Sequence, residues 1–537
     1  MLFGAKEIQS VGDTSSPENH LQPDGFRIHF RGSEKPEIEA INAAGEFYAV
    51  NYLEDLRRQN ALPKDPVILE DNPLFQERGF MLDISRDRVP TMEFLFRLIE
   101  QLAALRYNQL QLYTEHTFAF QQHQTVWKNA SPITADELIQ LEAHCKNNHI
   151  DLVPNQNCFG HMERWLCHSE YQHLAECPDG FEHPIAGHKD SGTTLHPSDE
   201  SEALVREILG EVLPLYSSAK ANIGGDEPWE LGQGRSREAA KANGKHEVYL
   251  SFLQKILTIA QELGKEPIFW ADIVLERPEL VNRIPSGAVP AVWGYHPDHP
   301  YPEQCKIISE AGFQGKFQVV PGTNTWNSFS GRLSHAELNI SRAATQGRKF
   351  GARGLILTCW GDGGHHQSTA SLYPSLVLAA KACWSHPAST SLADAIDQVF
   401  YPGDHSGNGK AICEQGTIDD SLPYPNPNQS FLHRAFFADR QSLEKLLTSV
   451  SLADLKSAEQ RLVGFVANSS DPSISLSRDM NLWALARCRQ FLEPSEEQND
   501  LHKSLQDLEE RFQTVWFRDS RPGGFPDSAG RFPHKHL

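Results

Sequence analysis

Through the middle of the chain, short apolar runs alternate with longer amphipathic stretches, and each pair reads as a strand followed by a helix. The runs fall at residues 79–85, 108–113, 150–154, 221–223, 267–270, 288–293, 317–321 and 354–360. Helical spacing fills 92–105, 135–147 and 247–263 between them. Eight strands in such a rhythm predict a (β/α)8 barrel over 73–390, within the α/β class. Ahead of it, residues 26–32 alternate like a strand. Residues 37–58 read as one helix, with Ile41, Ala44, Phe47, Ala49 and Leu53 available for a single face. The result is a small α/β domain over 1–72, joined to the barrel by a stretch broken by Pro63, Pro66 and Pro73. From Leu392 helical periodicity dominates, so 391–537 is expected to form a C-terminal helical domain with polar loops such as 421–429.

Length fits this division, since 537 residues exceed what one hydrophobic core usually supports. A formal charge of −21 opposes both nucleic acid and anionic membrane as partners. No run approaches the roughly 20 apolar residues of a membrane span, and the first residues lack a leader pattern. Nine cysteines, thinly spread, read as free thiols of a reducing compartment, so a cytoplasmic protein is expected.

Polar and aromatic residues collect where the predicted strands end: Asp83 and Arg86, Glu115 and His116, Asn155 and Asn157, Asp226 and Glu227, Trp270 and Asp272, Trp293, Trp326 and Asn327, Trp360 and Asp362. In a barrel those ends share one mouth, where active sites of this fold lie. Four tryptophans there could wall a pocket suited to the C–H faces of a sugar. Asp226 and Glu227 follow Ile223-Gly224-Gly225, where a strand would spill into a sharp turn and two acids would diverge toward one substrate. Taken alone, the same residues could equally be a helix N-cap and its acidic first turn.

The fuller pattern resembles glycoside hydrolase family 20, the β-N-acetylhexosaminidases. Residues 73–86 are similar to the family's entry into its first barrel strand, 153–161 to its third-strand segment, Asn222-Ile223-Gly224-Gly225-Asp226-Glu227 to its fourth-strand signature, and Trp360-Gly361-Asp362 to its eighth-strand Trp-Gly-Glu. The resemblance covers about residues 25–385. It implies Arg78 as the clasp on sugar hydroxyls and His161 as support for the acid/base glutamate. It further implies a retaining, substrate-assisted hydrolysis in which the 2-acetamido oxygen attacks, Asp226 steadies the acetamide nitrogen and Glu227 protonates the leaving oxygen. Trp270, Trp293, Trp326 and Trp360 would line the sugar site. No cofactor or metal is implied, and the partner would be an oligosaccharide ending in N-acetylhexosamine.

Three departures bear on the sugar. The second-strand His-x-His and Asp-Asp pattern is replaced by Tyr113-Thr114-Glu115-His116, the seventh-strand Trp-Tyr by Trp326-Asn327, and the eighth-strand glutamate by Asp362. Asn327 is expected to supply an amide donor for the acetamide, and Glu115 a new contact that favours N-acetylgalactosamine. Two other readings stay open: a retaining enzyme with a carboxylate nucleophile, Asp272 or Glu115, paired with Glu227, and a non-hydrolytic carbohydrate-binding barrel. Residues 158–188 are rich in cysteine and histidine but lack paired zinc-ligand spacing, and read as a solvated or substrate-facing loop. The segment from Val515, with Trp516, Arg518 and Arg521, is expected to pack back on the barrel or on a second subunit, which would make a homodimer.

Overall fold

The computed structural model describes residues 2–8, 21–32, 34–184, 187–387, 389–423, 428–465, 469–494 and 501–536. Its centre is a closed parallel barrel of eight strands, Glu77–Asp83, Gln109–Thr114, Asp151–Gln156, Lys220–Asn222, Glu266–Trp270, Val289–Trp293, Gln318–Val320 and Gly354–Cys359. All eight predicted runs are present in order, and the eighth closes against the first from Gly354↔Glu77 to Cys359↔Leu82. Their apolar side chains sort into two layers. Met81, Val153, Ile268, Val289, Val320 and Ile356 fill the interior beneath the tryptophans, while a larger core packs the outer faces of the strands against the helices.

The base of the barrel is plugged by charge. Glu77 pairs with Lys220 at 3.0 Å and with Arg353 at 3.1 Å, and Arg353 reaches Glu266 at 2.7 Å. These pairs satisfy the charges at the end of the barrel opposite the mouth, where Lys220 also meets Asp151 at 3.2 Å.

The N-terminal unit is a four-stranded antiparallel sheet in the order Lys6–Ile8, Val67–Asp71, Phe26–Phe30, Glu37–Ala40, with the helix Ala43–Arg58 on one face. Two expectations change here. Residues 37–40 are a strand rather than the first turn of the helix; Glu-Ile-Glu-Ala alternates and pairs with Phe26–His29, and Asn42 then caps the helix by accepting from Gly45 N. The prolines of the supposed linker bound another strand, Val67–Asp71, instead of emptying the region of structure.

The helices Leu392–Phe400 and Asn408–Gly416 still pack on the barrel's outer core, and the later ones to Phe525–Ala529 gather around a separate core of Phe436, Trp483, Phe512 and Trp516, into which Phe329 inserts from the barrel. The final segment lies on the barrel, as its composition predicts. Trp516 is fully buried under the Arg88 guanidinium, 4.7 Å from its ring. Arg521 grips both carboxylate oxygens of Glu137, at 2.9 and 3.1 Å, and also the Pro90 and Pro132 carbonyls. Arg518 pairs with Asp471 within the helical region. Among the described residues no helix is long and apolar enough to cross a membrane.

Candidate active site

The fourth strand ends at Asn222, and the next five residues make the turn that presents both acids. Gly224 and Gly225 take φ of +73° and +95°. A side chain at Gly224 would collide with Asn157, its Cβ falling 2.1 Å from Oδ1, so only glycine fits. Glu227 itself stands at φ +47°, a left-handed conformation that costs a branched or long residue energy and is held by its surroundings. Asp272 Oδ2 accepts from the Glu227 amide at 3.3 Å, and Tyr249 donates to the Gly225 carbonyl at 2.7 Å. No helix starts at Asp226, the next being Arg237–Asn243, which removes the N-cap reading.

The loop after the third strand meets this turn. Gly160 lies so close that a Cβ would sit 2.4 Å from the Asp226 carbonyl, and the contact delivers His161. His161 Nε2 is 3.1 Å from Asp226 Oδ2 and 3.6 Å from Glu227 Oε2. It therefore supports Asp226 more directly than Glu227, to which the resemblance assigned it. Burial opposes charge on His161, but Asp226 outweighs it and lifts the imidazole to about 9. Burial raises the Glu227 carboxyl above its ordinary value, aided by the charges of Asp226 and Asp362 and opposed by His161.

These groups face a small open pocket of about 120 Å³ lined by Arg86, His161, Asp226, Glu227, Trp270, Trp293, Tyr295, Trp326, Trp360, Asp362 and Asn428. Its size is on the scale of one ring and not of a chain, roughly four liquid water volumes. The tryptophans of the last four strands are therefore gathered as expected. Tyr295 stacks on Trp293 at 5.2 Å, and its hydroxyl accepts from Trp360 Nε1 at 2.7 Å. Two buried polar atoms among these residues lack a hydrogen-bond partner: Asp226 Oδ1 and Trp270 Nε1. Unpaired buried polar atoms are costly, so both are suited to a ligand.

Three predicted contacts are placed elsewhere. Arg78 is at the start of its strand, at the barrel base, where it pairs with Asp24 at 2.8 Å and lies against Trp384. Arg86, past the other end of the same strand, is the pocket's arginine. It is sandwiched 4.9 Å from the rings of both Tyr113 and Trp360, paired with Asp83 at 3.0 Å and set 3.8 Å from Asp362. Glu115 is buried behind Arg86, 3.4 Å from its Nη2, and accepts from the Tyr113 hydroxyl at 2.9 Å, so it aims Arg86 and does not line the pocket. Asn327, at φ +50°, turns to the Asn428 carbonyl at 3.4 Å and leaves the wall to Tyr295. Tyr295 was legible from its period-two spacing after Trp293; Asn428 arrives from the helical region with no local signal.

Neither alternative nucleophile faces the pocket. Asp272 is engaged at both oxygens, by the Glu227 amide and by Trp293 Nε1 at 3.3 Å, and burial together with Asp226 and Glu227 pushes its carboxyl well up. The cysteines and histidines of 158–188 disperse: Cys158 donates to the Ile223 carbonyl, Cys167 is exposed, and His188 pairs with Glu182. Among the described residues, the group able to hold a metal is His161, Asp226 and Glu227, with ligand atoms within 4.8 Å of one another. An ion there would occupy the same atoms that acid–base chemistry needs.

Comparison with known proteins agrees with this geometry. The model of the glycosyl hydrolase family 20 catalytic domain matches residues 75–313. Human hexosaminidase D is 24% identical over 336 residues, which are 58% of this chain and 65% of that protein. Its bovine counterpart is 23% identical over 60% of this chain and 92% of its own length. Among solved structures, a Flavobacterium johnsoniae chitobiase overlays 92% of this chain and 86% of its own at TM-score 0.57 and 17% identity, a likeness of fold that extends into the helical region. Over residues 75–313, then, the barrel is similar to the catalytic domain of glycoside hydrolase family 20.

Proposed function

We propose that the barrel mouth removes a terminal β-linked N-acetylhexosamine by substrate-assisted hydrolysis with retention of configuration. The observation that carries this reading is the division within Asp226: Oδ2 is fixed by His161, while Oδ1 is buried, unpartnered and beside Glu227. That oxygen suits an acetamide N–H. In the first step the acetamide oxygen attacks the anomeric carbon as the C–O bond to the leaving group breaks, Glu227 gives its proton to the departing oxygen, and Asp226 offsets the charge gathering on the acetamide. In the second step Glu227 takes a proton from water, which opens the oxazolinium at the anomeric carbon. The raised Glu227 carboxyl suits a group that must begin protonated. Tyr295 is a hydroxyl suited to the acetamide oxygen, the part first expected of Asn327. The hexosaminidase relatives support the substrate class.

A carboxylate-nucleophile route is disfavoured by the engagement of both Asp272 oxygens and the retreat of Glu115 behind Arg86. Preference for N-acetylgalactosamine would fall to Asp362 and Arg86, the charged pair that follows the eighth and first strands. The test is a panel of 4-nitrophenyl β-glycosides with wild type and Glu227→Gln. The N-acetylhexosaminides should be turned over, and the variant should lose ~10²–10⁴-fold on unactivated disaccharides and less on aryl glycosides. A near-normal variant rate on a disaccharide would refute the assignment of Glu227.

A further inference from the structure

Arg86 and Trp360, which touch each other in the sugar pocket, are both gripped by their main chains from behind. The Arg86 amide donates to Asp83 Oδ1 at 3.1 Å, and its carbonyl accepts from His365 Nδ1 at 2.6 Å. The peptide group after Trp360 is held in the same manner. Its carbonyl accepts from Gln367 Nε2 at 3.0 Å, and its N–H, on Gly361, donates to Asp83 Oδ2 at 3.0 Å. Three side chains thus fix two stretches of backbone, and with them the 4.9 Å between the Arg86 guanidinium and the Trp360 ring. Asp83 ends the first strand; His365 and Gln367 follow the eighth, two residues apart and each only 3% exposed. Gly361 makes room for this, since a Cβ there would fall 2.0 Å from the His365 ring.

Those partners settle which atoms donate and which accept. His365 meets a carbonyl through Nδ1, so that nitrogen carries the proton. Burial holds the ring neutral, lowering it to about 4, and Nε2 is left a bare acceptor. Gln367 must turn its nitrogen to the Trp360 carbonyl, which leaves Oε1 as a second acceptor. Both atoms are buried without a hydrogen-bond partner, and so is one donor, Arg88 Nε.

His365, Gln367 and Arg88 line one small cavity of about 20 Å³. Asp83 and Asp519 line it too, but their oxygens are engaged, those of Asp519 by Arg97 at 2.8 Å and Arg518 at 3.1 Å. The C-terminal segment closes the outer side, where Ser520 bridges to Pro90 and Thr91 N donates to the Asp519 carbonyl at 3.0 Å. A space of roughly 10–15 Å³ or more with two to four polar partners holds a water molecule. One donor and two acceptors match a single water, which accepts from Arg88 and donates to His365 and Gln367.

We propose that His365 and Gln367 are positioning residues which, joined to Arg88 through one enclosed water, set Arg86 against Trp360 in the sugar pocket. The inference rests on the reading of the barrel mouth as an N-acetylhexosamine site. Neither residue meets the reacting atoms; both act through the groups that grip the sugar.

The test measures kcat and KM on 4-nitrophenyl N-acetyl-β-glucosaminide, with a melting curve for each variant. A grip made equally before and during reaction is read in KM. His365→Leu and Gln367→Met should each raise KM about fivefold or more, the scale of one buried hydrogen bond, and change kcat less. His365→Asn, whose amide can stand where Nδ1 stands, should recover most of that loss. In an Arg86→Lys background His365→Leu should add little, because both substitutions act through one contact. An unchanged KM in the variants that fold, or losses that simply add in the double variant, would overturn the proposal. If nothing is hydrolysed, the proposed activity fails instead, and crystallography decides the clamp. A wild-type water bonded to His365 Nε2, Gln367 Oε1 and Arg88 Nε, with Arg86 drawn off the Trp360 ring in Gln367→Met, supports it. A wild-type cavity without that water, or an Arg86 that stays in place in the variant, excludes it.

Discussion

His161 Nε2 donates to Asp226 Oδ2 at 3.1 Å, while Arg86 Nη2 lies 3.3 Å from the other ring nitrogen. The histidine thus sits between a carboxylate that favours its charge and a guanidinium that opposes it, and the carboxylate prevails, lifting it from the ordinary 6.5 to about 9. Because the folded value is raised, the stabilisation is fully present below about 6.5 and is lost as pH rises through about 9. Melting temperature should therefore decline between pH 6.5 and 9 more steeply in wild type than in His161→Asn. Parallel curves would show that Asp226 does not hold a protonated His161.

The two arginines that bracket the first barrel strand should separate cleanly by assay. Arg78 is buried with Asp24, so Arg78→Met leaves that acid without its partner and should cost about 3–5 kcal/mol of stability, with KM unchanged in the protein that folds. Arg86→Lys keeps a charge but loses the planar fork, and should lower kcat/KM by roughly 10–100-fold while melting stays near wild type. The reverse pattern would return the sugar clasp to Arg78.

That pair also shows what the sequence made legible. The eight strands were readable because a barrel interior of Val, Ile and Met leaves short apolar runs between helices, and Asp226-Glu227 because a Gly-Gly turn leaves its mark on the chain. Arg78 was misplaced since strand direction decides the face: residues that open a parallel barrel strand lie at the base, and those that follow it lie at the mouth. Asn327 was misplaced by its own backbone, whose left-handed turn swings the side chain toward Asn428. Asn428 comes from a polar loop about a hundred residues later in the chain, where no local pattern announces a pocket residue.

The C-terminal segment offers a prediction about assembly. Arg521 binds Glu137, whose carboxylate also completes the capping box of the helix Ala135–Asn147. Gly524, at φ +76°, lies so close to the residue after Arg86 that a Cβ would meet the Asp87 carbonyl at 1.7 Å. Arg521→Ala should destabilise the protein by about 2 kcal/mol or more, the scale of lost bonds to a charged group, and Gly524→Ala should raise KM by displacing Asp87 and with it Arg86. Deletion from residue 515 that preserved both melting temperature and KM would show the segment to be dispensable.

The central claim is that the substrate's acetamide is the nucleophile and Asp226 its partner, and it is tested most directly by a series of 4-nitrophenyl glycosides bearing N-acetyl, N-fluoroacetyl, N-difluoroacetyl and N-trifluoroacetyl groups. Fluorine drains electron density from the carbonyl oxygen and leaves the sugar otherwise intact. Log kcat should fall steeply along the series, and Asp226→Asn should depress the N-acetyl rate by at least about 3 kcal/mol in the barrier, the usual cost of removing a preorganised electrostatic partner. A flat series, with rates independent of fluorine content, would place the nucleophile on the protein and contradict the account.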